Sequence, residues 1–231
     1  MGKHKLKKII VLLSALLLGL VYLHNVPKKV SQKDKQALAE IFKTPVVVAE
    51  DLSFDEQIAY IDLLVNELHD NFALLSPIAY HEKREPIDLL ANGGGFCYDF
   101  SRSIEKQLIF SGFETRHVAV YLRKDNFWST ISSKGVYSHA LSEVYTKKGW
   151  LIVDSNEPFY AQTVNGEVYS FEALKKSETL PKWKLQIHPE LASFYTPQIE
   201  FVYGLYSRHG RFYPPYNFIP DYNFSELFYN F

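Results

Sequence analysis

The stretch Gly93-Gly94-Gly95-Phe96-Cys97-Tyr98-Asp99-Phe100 places the single cysteine of the chain directly after a glycine run and at the start of a helical pattern. Phe100, Ile104 and Leu108 recur every four residues behind it, and Gly112 stands where a glycine would end the helix, so Cys97 falls in the first turn. The start of a helix presents unpaired N–H groups and the positive end of the dipole, and both favour a reactive thiolate. A lone cysteine forms no internal disulfide and acts as a thiol. Taken by itself it reads as a small buried hydrophobe. The glycines change that reading, because they let the backbone turn sharply and leave amides uncovered, one of which is placed to hold an oxyanion.

A base and an orienting carboxylate follow in order. In Ser138-His139-Ala140-Leu141-Ser142-Glu143-Val144-Tyr145 the alternation of a strand puts His139, Leu141, Glu143 and Tyr145 on one face. Lys147-Lys148-Gly149 reads as a turn and Trp150-Leu151-Ile152-Val153-Asp154 as the returning strand. A two-residue tip, Lys147-Lys148, sets Leu141 opposite Asp154 and His139 opposite Asn156. His139 and Asp154 are then diagonal neighbours on one face, about 7–8 Å apart at the backbone. A three-residue tip that includes Gly149 sends them to opposite faces unless a bulge restores the parity.

These residues resemble the transglutaminase-like branch of the papain-like cysteine enzymes. The resemblance rests on Gly95-Phe96-Cys97-Tyr98-Asp99-Phe100-Ser101 with Gly112-Phe113-Glu114-Thr115-Arg116, on His139-Ala140-Leu141-Ser142-Glu143-Val144, and on Gly149-Trp150-Leu151-Ile152-Val153-Asp154-Ser155. It covers about residues 90 to 160. It departs from the family in having Leu141 where Trp commonly follows His-Ala, and Ser155-Asn156 where Pro or Thr is common near the Asp. The resemblance implies an α+β fold with a nucleophile helix packed on an antiparallel sheet, and a Cys97, His139, Asp154 triad for thiol-dependent acyl transfer with no cofactor and no metal. Tyr98 beside the nucleophile and Trp150 on the returning strand are candidate substrate contacts.

The N-terminus has a different plan. Lys3, Lys5, Lys7 and Lys8 precede an apolar run from Ile9 to Leu23, and no small-x-small cleavage site or lipobox cysteine follows. This is the pattern of an uncleaved signal-anchor, short for a spanning helix, with a cleaved signal peptide as the alternative. The positive-inside rule leaves the lysines in the cytoplasm and exports the rest to the periplasmic or extracellular side. Expected divisions are an anchor over residues 1–26, a linker and short helix over 27–50, the catalytic domain over 51–193 and an aromatic extension over 194–231. Ser31 to Lys43 reads as a polar helix. Ser53-Phe54-Asp55-Glu56 is a capping box opening a helix whose apolar stripe is Ile58, Ile61, Val65 and Leu68.

A formal net charge of -1 leaves no electrostatic footprint for nucleic acid. His69, His81, His117, His188 and His209 show no metal-binding spacing, and one cysteine builds no thiolate zinc site. His117 reads as a core or edge histidine of a strand. The extension is rich in Phe and Tyr among prolines, and Tyr213 and Tyr216 are candidates for a stacking platform; the alternative is that its rings pack on the core. Two functions follow as expectations. The first is a membrane-held peptidase, amidase or transamidase acting on a peptide, protein or glycopeptide of the cell envelope, and the second is a non-catalytic envelope binding protein that uses the aromatic tail.

Overall fold

The computed structural model describes residues 3–74, 78, 84–133, 135–206 and 221–231. The chain runs α1 (Lys3–Leu23), α2 (Gln32–Ile41), α3 (Phe54–Asn71), α4 (Pro86–Asn92), α5 (Cys97–Phe110), β1 (Thr115–Leu122), α6 (Phe127–Ser132), β2 (Ser138–Thr146), β3 (Gly149–Asp154), β4 (Phe159–Tyr160), α7 (Phe171–Lys176), a 3-10 turn (Ala192–Tyr195), β5 (Ile199–Tyr203) and α8 (Phe224–Leu227). The strands form one antiparallel sheet in the order β4-β3-β2-β1-β5. This is the expected α+β arrangement.

The capping box at Ser53 is present, with its hydroxyl accepting from the Glu56 amide while the Glu56 carboxylate accepts from the Ser53 amide. Behind it Ile58, Ile61, Val65 and Leu68 are all buried. They join Phe100, Ile104 and Leu108 of α5 and Val144, Leu151 and Val153 of the sheet in one apolar cluster, so α3 and α5 cover the same face. The opposite face carries a second cluster, in which Val118, Val120, Leu141 and Ile152 meet Phe171, Phe194, Tyr195, Ile199 and Tyr203. The first part of the aromatic extension is therefore core: Phe194, Tyr195, Tyr203 and Tyr206 are buried, and β5 completes the sheet beside β1.

α5 is buried on nearly every side from Tyr98 to Leu108, polar residues included. Arg102 donates to both Glu85 oxygens at 2.9 and 3.2 Å, to Glu105 at 3.2 Å and to the Pro27 carbonyl at 2.6 Å. Lys106 reaches Asp34 at 3.1 Å and the Lys29 carbonyl at 2.7 Å. Buried charges survive only when paired and hydrogen-bonded in this way. The partners draw the segment before α2 onto the helix, so residues 27–50 pack as part of the domain, with Leu38, Ile41 and Phe42 in its core. The C-terminus is drawn to the same place. The Tyr206 hydroxyl lies within hydrogen-bond distance of both Glu105 and Glu226, each at 2.9 Å, Lys28 lies 3.0 Å from Glu226, and the Val26 amide donates to the Tyr222 carbonyl at 2.7 Å.

α1 leaves its apolar side chains uncovered, with Leu12 at 70% and Leu18 at 68% exposure. Among the described residues no helix is long and apolar enough to cross a membrane. The segment expected as a single-pass anchor over residues 1–26 forms the helix α1, Lys3–Leu23, and a spanning helix is not shown.

Glu226 generates a prediction. Burial, then the Glu105 carboxylate, push it up from its ordinary 4.5 to about 7, against the opposing pull of Lys28. A carboxyl raised in the folded state binds its proton more tightly there than when unfolded, so its contribution is present at low pH and is lost as pH rises from about 4.5 through about 7. Melting temperatures of the native protein and Glu226→Gln between pH 5 and pH 8 should show the native protein losing stability relative to the variant as pH rises. Parallel curves would contradict this.

Candidate active site

Three elements meet at Cys97. α5 begins at this residue, and the segment before it is fixed by contacts that leave no space for side chains. Gly93 caps α4 with φ 67°. A Cβ on Gly94 would stand 2.4 Å from the Ala73 carbonyl oxygen, and one on Gly95 would stand 2.6 Å from Asp99 Cβ. The glycine run thus brings the chain tightly past α3's exit and into the helix. Two of the amides expected to be uncovered are engaged: the Gly95 N–H donates to the Ala73 carbonyl at 3.1 Å and the Phe96 N–H to Asp99 Oδ2 at 2.8 Å. Asp99 is held in turn by Arg84 at 3.3 Å.

The hairpin carries the other two residues. Ser142 pairs with Val153 and Thr146 with Gly149, so the tip is the pair Lys147-Lys148, and Gly149 adopts φ 107° on the strand side of it. Continuing that register sets Leu141 opposite Asp154, which makes His139 the diagonal neighbour on the same face. His139 Nε2 lies 2.8 Å from Asp154 Oδ2. The Cys97 side chain stands close enough to the ring to add to its electrostatics, and because Nε2 is committed to Asp154, Nδ1 is the nitrogen left for the sulfur. His139 and Asp154 are buried, while Cys97 is partly exposed.

The electrostatics follow from this contact. Burial pushes the His139 imidazole down, but the Asp154 charge and hydrogen bond, with smaller contributions of both kinds from Cys97, outweigh it and raise the group from 6.5 to about 10. The ring is an imidazolium at neutral pH. His117 shows the opposite outcome. It is buried between Tyr98 and Tyr206, and burial with nearby Arg102 lowers it to about 3, so it is a neutral core histidine.

The sequence pattern does not point to two further contacts. Tyr195 donates its hydroxyl to Asp154 Oδ2, and the Asn156 N–H donates to Asp154 Oδ1 at 2.9 Å. Phe194 sets its ring 5.4 Å from His139. Both aromatics come from the 3-10 turn, and the aromatic richness of the extension is the one signal that touches them.

The expected substrate contacts are not gathered at the triad. Tyr98 is buried, edge-on to His117 and Tyr206 at 5.7 and 5.9 Å. Trp150 stands at the other end of β3 from Asp154, about 13 Å along the strand, where its ring covers the Arg116 guanidinium at 4.2 Å. Arg116 is paired with buried Glu143 at 2.6 Å, which explains the aromatic cover. Tyr213 and Tyr216 lie outside the described residues. Among the described residues no group of three or more His, Cys, Asp or Glu side chains is placed to hold a metal ion.

The model of the transglutaminase-like superfamily matches residues 48–155, just under half of the chain, and the match includes Cys97, His139 and Asp154. Over this stretch the chain is similar to the transglutaminase-like superfamily. Two solved structures are similar at low identity. One, from Cytophaga hutchinsonii, is described as a candidate cysteine protease; it is 16% identical with a TM-score of 0.36, covering 61% of this chain and 42% of that one. The other is the periplasmic domain of TgpA from Pseudomonas aeruginosa, 18% identical with a TM-score of 0.36, covering 58% of this chain and 46% of that one. The chain therefore spans less than half the length of either neighbour. No curated protein matches it.

Proposed function

We propose that the chain is a thiol-dependent acyl-transfer enzyme, a peptidase, amidase or transamidase, with Cys97 as nucleophile, His139 as proton carrier and Asp154 as the group that orients it. The observation that carries this reading is the buried imidazole of His139, hydrogen-bonded to Asp154 and with the Cys97 side chain beside it. The proton rests on the ring, and the sulfur attacks the carbonyl carbon. As the C–S bond forms, the carbonyl oxygen takes the negative charge. The Cys97 N–H at the first position of α5 is the amide best placed to receive that oxyanion, because the first N–H groups of a helix have no intrahelical acceptor and those of Gly95 and Phe96 are engaged. Collapse breaks the bond to the leaving amine, which takes the proton from His139, and leaves a thioester on Cys97. Water or a second amine, deprotonated by the neutral imidazole, then releases the acyl group. Asp154 holds Nε2–H throughout, so Nδ1 faces the sulfur.

The substrates on this reading are peptides, proteins or glycopeptides of the cell envelope, and the domain sits at the outer face of the cytoplasmic membrane, held there by α1. The lysines ahead of the apolar run and the uncovered leucines of α1 support that location. Phe194, Tyr195, Tyr203 and Tyr206 are buried and leave the competing platform reading to Tyr213 and Tyr216, outside the described residues.

Acylation by p-nitrophenyl acetate tests the chemistry without a known substrate. Intact-mass analysis should show one acetyl group on Cys97, none in Cys97→Ala, and an acylation rate lower by about 10²–10⁴ in Asp154→Asn, where the amide favours the wrong tautomer. Acylation no faster than that of free cysteine, or unchanged in Asp154→Asn, would contradict the triad.

Location is tested separately. The full chain should sediment with membranes and remain there after a carbonate wash. Recovery in the soluble fraction would contradict the tether.

A further inference from the structure

We propose that Tyr195 is a positioning residue of the Cys97–His139–Asp154 centre: its hydroxyl fixes the Asp154 carboxylate and withdraws part of the charge that carboxylate would otherwise exert on His139. This rests on the acyl-transfer reading of the same site and extends it to a residue beyond the stretch that matches the family.

Asp154 is fully buried, so its negative charge must be met by donors from the protein. Oδ1 has the Asn156 N–H, two residues along the chain. Oδ2 has two donors, His139 Nε2 and the Tyr195 hydroxyl. One of these is the working imidazole. The other comes from the 3-10 turn, far along the chain, and lies on an oxygen that already has a partner.

Several features hold the phenol there. Tyr195 is buried, with its ring 4.5 Å from Phe159, the residue paired with Asp154 across β3 and β4. Packing alone would be served by phenylalanine, whereas a buried hydroxyl is tolerated only where it finds an acceptor. Burial first, then the Asp154 charge and hydrogen bond and the Glu157 charge, push the phenol well above its ordinary 10, so it remains a neutral donor throughout the working range. A donor of that kind spreads the charge on Oδ2 over two hydrogen bonds.

The same turn sets Phe194 against His139, so two consecutive residues address both members of the pair. The groups that face His139 are Asp154 from β3, Cys97 from α5 and Phe194 from the turn. Glu143, on β2 itself, is engaged with Arg116, Tyr203 and the Phe171 amide.

The single cysteine makes the test clean. Iodoacetate and iodoacetamide both form a C–S bond to Cys97 with loss of iodide, but a neighbouring imidazolium accelerates only the anionic reagent. The ratio of the two rates against pH therefore reads the charge on His139. In the native protein the ratio should be high at neutral pH and fall near pH 10, following the His139 proton. In Tyr195→Phe, which removes one oxygen and keeps the ring, the fall should move upward by about half a pH unit or more. A purely structural hydroxyl would lower stability and leave the fall in place. His139→Gln separates the two claims, since it should abolish the pH-dependent ratio. If it does, and Tyr195→Phe falls at the same pH as the native protein, the role of Tyr195 is overturned and the triad stands. If the native ratio shows no fall, or His139→Gln retains it, the acyl-transfer reading and the inference built on it both fail.

Discussion

The hydrogen bond between His139 and Asp154 depends on the two-residue tip Lys147-Lys148. Side chains alternate along a strand, so one residue more or fewer at that tip would turn Asp154 to the other face and leave a carboxylate buried without its imidazole. The turn is far from the chemistry, and Gly149 meets it with a positive φ that other residues adopt only under strain. Once the parity is fixed, the rest of the site follows from where the α5 start and the 3-10 turn come to rest against the hairpin. Tyr195 and the Asn156 amide complete the donors around Asp154, and Phe194 stands against the ring.

A second constraint acts on the nucleophile helix. α5 carries Arg102, Glu105 and Lys106 in surroundings where each must be paired, and the partners come from Pro27, Lys29, Asp34, Glu85 and Tyr206. Removing one member of such a buried set costs about 3–5 kcal/mol, because the other charge is stranded. The network therefore ties the segment after α1 and the C-terminal region to the back of the same helix that presents Cys97 at its front. Tyr98 belongs to that packing, with Arg84 5.6 Å from its ring, although its neighbour in sequence is the nucleophile.

Much of this was readable from local pattern. The helix beginning at Cys97, the capping box at Ser53 with its apolar stripe, and the hairpin all follow from spacing a few residues long, and the structure chose between the two open turn lengths. What could not be read depends on contacts distant in sequence. Tyr195 meets Asp154 across forty-one positions, and nothing in Ala192-Ser193-Phe194-Tyr195 distinguishes a donor to a carboxylate from an ordinary buried ring. The Gly95 and Phe96 amides looked available because their acceptors, the Ala73 carbonyl and the Asp99 carboxylate, become visible only after folding. Trp150 looked like a cleft residue because it shares a strand with Asp154; the cation that claims it, Arg116, lies two strands away. The buried polar face of α5 likewise gives no sign in its own sequence, because its partners lie elsewhere in the chain.

The central claim is that His139 stands as an imidazolium between Asp154 and Cys97. The ¹⁵N chemical shifts of its two ring nitrogens, assigned by comparison with His139→Gln, report this directly. The account predicts that both nitrogens are protonated at pH 8 and remain so until about pH 10. A single neutral tautomer at pH 8, titrating near the ordinary histidine value of about 6.5, would contradict it.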